Sequence, residues 1–260
     1  MIEQFRGFAF PLNVYAYMLH LEWGKVDYLH FGLFAPGEDD LARAQERSTA
    51  LVLERLPAAP ARILDVGIGL GTTLAALVRL GHDVTGITPD AHQVQVAQER
   101  FGIGSRIVCS RWEDFQPGPR HYDLVLFQES AQYIAPQDIF ARAHEWLAPG
   151  GTLQIQDEVG LRRGNPGEPW LNLLSDYLSA ASAHGLVLTE QVDLSAQAAP
   201  TLIHILNLVE KHRPSLQRDL GVSDEQIDAL NQSTHLYKQK YGDGRYGYAL
   251  LRFRNGPGAR

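Results

Sequence analysis

One stretch constrains this chain more than any other: Ile63-Leu64-Asp65-Val66-Gly67-Ile68-Gly69-Leu70-Gly71-Thr72-Thr73. A short apolar run carrying a single carboxylate ends in glycines at alternate positions, and a pair of hydroxyl residues follows. An apolar run this short reads as a parallel strand buried on both faces. Glycines directly after such a strand allow a tight turn and let a ligand lie against bare backbone. A helix opening at Thr72 presents N–H groups that have no partner inside the helix. Strand, glycine turn and helix together form the first crossover of a doubly wound α/β sheet.

The pattern repeats downstream. Strands are expected over 61–66, 82–87, 105–110, 121–128 and 151–157, with helices over 72–80, 89–101 and 136–147 between them. A mostly parallel, Rossmann-like sheet of seven strands with helices on both faces follows from that alternation. Ahead of it, 1–60 reads as a helical extension. Asp39-Asp40 can cap a helix with Leu41, Ala44, Leu51, Val52 and Leu56 on one face, which Pro57 and Pro60 terminate. Beyond Asp157 a helix is expected over 170–184, an extended segment over 186–193, helix over most of 201–241, and a final strand of alternating character over 246–253. The chain is therefore expected to be one domain, with a ligand-binding core at 61–157. The helical insertion at 198–243 reads either as a lid over the sheet's carboxyl edge or as a packing helix pair.

At 260 residues, 45% of them hydrophobic and 20% charged, the chain suits one large α/β domain rather than a disordered one. Its 23 basic and 30 acidic residues leave a net charge of -7, which disfavours a phosphate backbone as partner. The basic cluster of Lys211, His212, Arg213 and Arg218 reads as a solvated helix face. The single cysteine, Cys109, excludes an intrachain disulfide and fits the cytoplasm; within Ile107-Val108-Cys109 it reads as a small core residue. Glu3, Arg6 and Pro11 interrupt the N-terminal apolar stretch, so neither a signal peptide nor a membrane span is expected.

The glycine spacing speaks to ligand chemistry. A dinucleotide turn has the form G-x-G-x-x-G, whereas Gly67, Gly69 and Gly71 are one residue tighter. Asp65 would repel a pyrophosphate but attract an ammonium, so an amino-acid-bearing nucleoside fits better than NAD. Thr88 stands where the second strand should contact a ribose, and Asp90 reads as the cap of the next helix. After the third strand, Trp112 offers an apolar wall for an adenine and Glu113 an acceptor for its amine.

On these residues the sequence resembles the class I S-adenosylmethionine-dependent methyltransferases. It is most similar to the cyclopropane fatty acid synthases and the related tocopherol-type small-molecule methyltransferases. The resemblance runs through Leu29-His30-Phe31-Gly32-Leu33-Phe34, Ala44-Gln45, the 65–71 turn, Val84-Thr85-Gly86-Ile87-Thr88, Gln93 and Trp112-Glu113. It implies S-adenosylmethionine as cofactor and S-adenosylhomocysteine as product. Ribose and adenine fall to Thr88, Gln93, Trp112 and Glu113, while Asp65, Gly67, Gly69, Gly71 and Thr72 cradle the amino-acid tail. Tyr28, Gln45 and Gln128 complete the expected cofactor set, and no metal is expected. Cyclopropane synthases carry a glutamate and a histidine where this chain has Gln132 and Tyr133. That departure favours simple methyl transfer, to carbon, oxygen or nitrogen of a small apolar or aromatic metabolite. His30 and Glu129 are the candidate bases. A lipid-modifying cyclopropane-type enzyme, a nicotinamide oxidoreductase, and a protein that binds the cofactor without methylating are the competing readings.

Overall fold

A computed structural model describes residues 2–118, 121–164 and 171–256. By its internal contacts the chain forms two compact units, Thr49–Ser195 with Gly244–Arg260, and Met1–Ser48 with Ala196–Asp243.

The first unit is built on a seven-stranded sheet. Its strands are β1 (Arg62–Val66), β2 (Asp83–Thr88), β3 (Ile107–Cys109), β4 (Tyr122–Gln128), β5 (Leu147–Gly160), β6 (Leu186–Asp193) and β7 (Tyr246–Asn255), in the spatial order β3-β2-β1-β4-β5-β7-β6. The strands from β3 to β5 in that order pair in parallel, whereas β7 runs antiparallel to both β5 and β6. Alternate residues feed two cores. Leu64, Val66, Val125, Phe127, Leu153 and Ile155 pack on one face; Ile63, Val84, Leu124 and Leu126 pack on the other. Burial on both faces requires helices on both faces, and Thr72–Arg79, Ala91–Phe101, Pro136–Trp146 and Leu174–Ala183 supply them. Local chemistry sets their ends: the Asp90 carboxylate accepts from the His92 and Gln93 amides, and Gly102 takes a left-handed conformation at the far end of that helix. The register brings Val66 beside both Ile87 and Phe127, so β1, β2 and β4 end side by side.

In the second unit, helix Leu12–Trp23 packs on helix Pro200–Leu220, with Glu22 accepting from Lys211 Nζ at 2.7 Å and paired to His212 Nε2 at 2.9 Å. Helix Asp224–Gly242 starts at a capping box made by Ser223 and Gln226. Helix Leu41–Leu53 begins with the Asp40 carboxylate accepting from the Arg43 amide, and the division between units falls inside it, between Ser48 and Thr49. No helix among the described residues is long and apolar enough to cross a membrane.

Several local readings of the sequence change. β3 is only three residues long and lies at the sheet edge, so Cys109 is exposed rather than a core residue. β5 starts earlier than 151 because β4 pairs with it at Leu147, and ends later than 157 because β7 pairs with it as far as Gly160. β7 itself is buried along nearly its whole length, since neighbours flank it on both sides, and its apparent alternation does not mark a solvent face. The helix expected over 170–184 spans Leu174–Ala183, and Trp170 lies outside the described residues.

Candidate functional site

At the end of β1, the Asp65 side chain is 2% exposed and its Oδ2 has no hydrogen-bond partner. Burial alone pushes its carboxyl up to about 7, so it is poised between neutral and charged near physiological pH. The turn that follows is fixed by backbone bonds, Gly67 N–H to Ile87 O and Gly71 N–H to Ile68 O, both 2.8 Å. Gly67 has φ 78°, and a Cβ there would stand 2.4 Å from that of Ser130, so only glycine fits. Gly69 also has a positive φ, 52°, but a Cβ there would meet nothing within 4 Å; its backbone borders open space. Thr72 opens the next helix, which has no side-chain cap on its first N–H groups.

The second strand's exit is tied locally. Thr88 Oγ1 donates to Gln93 Oε1 at 2.7 Å and accepts from the Asp90 amide at 3.3 Å, so the two residues expected to meet a ribose are already joined. Gln128, at the end of β4, accepts from Thr73 Oγ1 at 3.0 Å and donates to Thr49 Oγ1 at 3.2 Å. That amide braces the start of the first crossover helix.

Trp112, the expected adenine wall, is packed into the core. Its indole is 3% exposed, lies edge-on to Phe127 and Trp146, and donates through Nε1 to the Asp138 carbonyl at 3.2 Å. The side chain belongs to the core cluster that includes Phe115, Phe127 and Trp146. Glu113 next to it is partly exposed and pairs with Arg111 at 3.3 Å.

Past β4 the chain turns sharply at Glu129, whose φ of 56° is positive without glycine's freedom. Glu129 Oε1 accepts from the Tyr248 hydroxyl at 2.6 Å. Asp157 Oδ2 accepts from the Ala131 and Gln132 amides at 2.8 and 3.1 Å, and burial raises its carboxyl to about 7 against the opposing effect of those bonds. Tyr133 is 79% exposed. Neither Tyr248 nor Asp157 stands out in the sequence, since each meets this turn only through sheet pairing.

His30, Tyr28 and Gln45 belong to the other unit. There Gln45 Nε2 donates to the His30 carbonyl at 2.7 Å, and the His30 and Tyr28 rings lie 4.8 Å apart. His30 Nδ1 bonds the Phe31 carbonyl at 2.9 Å, which requires the proton on that nitrogen. Desolvation holds the imidazole's pKa down at about 4, so it is neutral at pH 7 and a weak proton acceptor. Among the described residues no cluster of histidine, cysteine or acidic side chains is arranged to hold a metal.

Residues 63–151 match the family model described as a methyltransferase domain. The polyketide synthase ThaQ of Burkholderia thailandensis is 30% identical over 171 residues, which is 62% of this chain and 8% of ThaQ. The cyclopropane mycolic acid synthase MmaA2 of Mycobacterium tuberculosis is 30% identical over 131 residues, 47% of this chain and 45% of that protein. The chain thus spans under half the length of each. Among solved structures, that of the [4+2]-cyclase SpnF superposes with a TM-score of 0.77 at 22% identity, over 93% of both chains. At that identity the likeness shows the fold.

Proposed function

We propose that this chain, which carries a methyltransferase domain over residues 63–151, binds S-adenosylmethionine at the ends of β1, β2 and β4 and transfers its methyl group to a small molecule. The observation that carries the reading is Asp65: a carboxylate at the root of a glycine turn, almost wholly buried, with one oxygen unpartnered. Burying such a group without a partner is costly, and an ammonium restores what is missing. A pyrophosphate would make the imbalance worse.

Bound there, S-adenosylmethionine supplies a methyl group on a sulfonium, which an acceptor's nucleophile displaces in line. The chain's own part is placement. Asp65 holds the amino-acid tail, and the bare backbone at Gly69 lets it lie close. Thr88 and Gln93 meet the ribose as a pair, and Glu113 accepts from the adenine amine. Trp112 supports that edge from within the core and does not stack on the ligand. Alignment of this kind can lower a barrier by about 7–11 kcal/mol. Where the acceptor's nucleophile carries a proton, Glu129 takes it. His30 is the weaker candidate, because its imidazole resists protonation.

The similarity to a polyketide synthase and to a cyclopropane mycolic acid synthase supports an apolar carbon-rich acceptor, and the exposed free thiol of Cys109 supports a reducing cytoplasm. Titration calorimetry with S-adenosylhomocysteine tests the site: binding at micromolar level is expected, and no heat with either that product or the methyl donor would end the reading. Incubating metabolite extracts with methyl-labelled cofactor and weighing the labelled product would then identify the acceptor.

A further inference from the structure

Among the described residues, Glu129 is the one non-glycine residue with a positive φ, at 56°. A side chain with a Cβ is strained there and stays only where its surroundings hold it. Here they do so from several directions. The Glu129 amide donates to the Gln156 carbonyl at 2.9 Å, and Ser130 Oγ donates to the Val66 carbonyl at 2.5 Å. Asp157 collects the amides of Ala131 and Gln132. On the glycine side the turn rests directly on Gly67, where no Cβ could fit against Ser130. The carboxylate of Glu129 is therefore carried on a rigid turn seated against the loop that receives the cofactor.

We propose that Tyr248 is a positioning residue for methyl transfer, its hydroxyl on β7 fixing the Glu129 carboxylate at the exit of β4 so that this carboxylate receives the acceptor's proton. The inference rests on the reading of Glu129 as the base. Tyr248 is wholly buried, and a buried phenol needs a polar partner. Its partner is a carboxylate 119 positions away in sequence, at 2.6 Å, which is the length of a strong charge-assisted bond. Burial, with the charges of Glu129 and Asp157, pushes the phenol's ionisation well above its ordinary value. The proton thus stays on Tyr248, and Glu129 is the member of the pair that accepts. Gln156 also bonds the phenol, and Glu158 stands directly across from Tyr248 in the β5–β7 register, so β5 braces it as well.

Tyr248→Phe keeps the ring and removes the bond. With carboxyl-carbon-labelled glutamate, the Glu129 signal is assigned by its loss in Glu129→Gln and followed against pH. In Y248F it is expected to titrate about one pH unit higher than in the unsubstituted protein, because the carboxylate has lost a strong donor. Calorimetric affinity for S-adenosylhomocysteine should stay within about twofold, since the bond lies outside the cofactor's own contacts. An unchanged Glu129 midpoint in folded Y248F would overturn the proposal. Failure to bind S-adenosylhomocysteine in the unsubstituted protein would instead overturn the cofactor reading. Should Y248F not fold, tyrosine labelled at the ring carbon bearing oxygen gives the same answer: one signal should follow the Glu129 titration and lose that dependence in E129Q. If no tyrosine signal does so, the proposal fails.

Discussion

The hydroxyl of Ser130 donates to the carbonyl of Val66 at 2.5 Å, stitching the exit of β4 to the exit of β1 immediately before the glycine turn. The same contact leaves no room at Gly67, where a methyl group would stand 2.4 Å from Ser130 Cβ. Gly67→Ala must therefore either break the stitch or twist the turn. It is expected to cost about 2–4 kcal/mol in urea unfolding and to abolish measurable binding of S-adenosylhomocysteine. In the double variant with Ser130→Gly, part of that loss should return, because the colliding atom is gone. Gly69→Ala, which meets only open space, should cost about 1 kcal/mol, the backbone strain alone. Equal losses at both glycines would contradict the assignment of the clash.

With Asp65 as the proposed seat of the ligand's ammonium, binding is expected to be linked to a proton. Its carboxyl is raised from 3.8 to about 7 in the folded chain, and an ammonium beside it would favour the charged form. At pH 6 binding should release close to one proton more than at pH 8. Calorimetry in buffers of different ionisation enthalpy reads that number directly, and Asp65→Asn should remove the difference.

The same carboxyl affects stability without ligand. A raised native pKa means that the folded chain keeps a proton the unfolded chain loses, so this contribution is full below about pH 4 and disappears as pH rises to about 7. Relative to D65N, the unsubstituted protein should thus lose roughly 3 kcal/mol between pH 4 and pH 8, as urea midpoints would show. His30 works in the opposite sense. Its depressed value, about 4, means that its contribution is full above pH 6.5 and falls as pH drops toward 4. A variant lacking that imidazole should show the weaker acid dependence.

Trp112 separates packing from binding. Trp112→Phe removes the Asp138 bond and part of the ring cluster with Phe127 and Trp146, so a stability loss of about 2–3 kcal/mol is expected. Affinity for S-adenosylhomocysteine should change by less than about threefold, in contrast to Glu113→Ala, where the lost hydrogen bond to the adenine amine weakens it by roughly 1–3 kcal/mol. A large affinity loss with intact stability in W112F would return the indole to the ligand.

The strand-turn-helix signature at 63–73 was legible because local rules write it: an apolar run, glycines where the backbone needs them, a helix start. The same holds for Asp90, whose capping role is a matter of adjacent residues. Cys109 was misread because β3 is a three-residue edge strand, and the length of a strand depends on its neighbours rather than on its own composition. The packing of Trp112 against Phe127 and Trp146 was hidden for a related reason, since those rings come from distant parts of the chain. Tyr248 and Asp157 were invisible because their link to the Glu129 turn is made across the sheet. No window of sequence holds both ends of such a contact.

β6 and β7 are antiparallel neighbours, a pair that a tight hairpin could join, yet the chain leaves the sheet between them and returns only after helices Pro200–Leu220 and Asp224–Gly242. The sheet's closure asks nothing of that excursion, whose amino acids are answerable to the N-terminal segment with which they pack. Recombining this protein with a relative would accordingly mean exchanging both pieces together, at the joints 48/49, 195/196 and 243/244. Swapping either piece singly would orphan its partner, while the β-stranded half could be inherited intact by chains that act on quite different molecules.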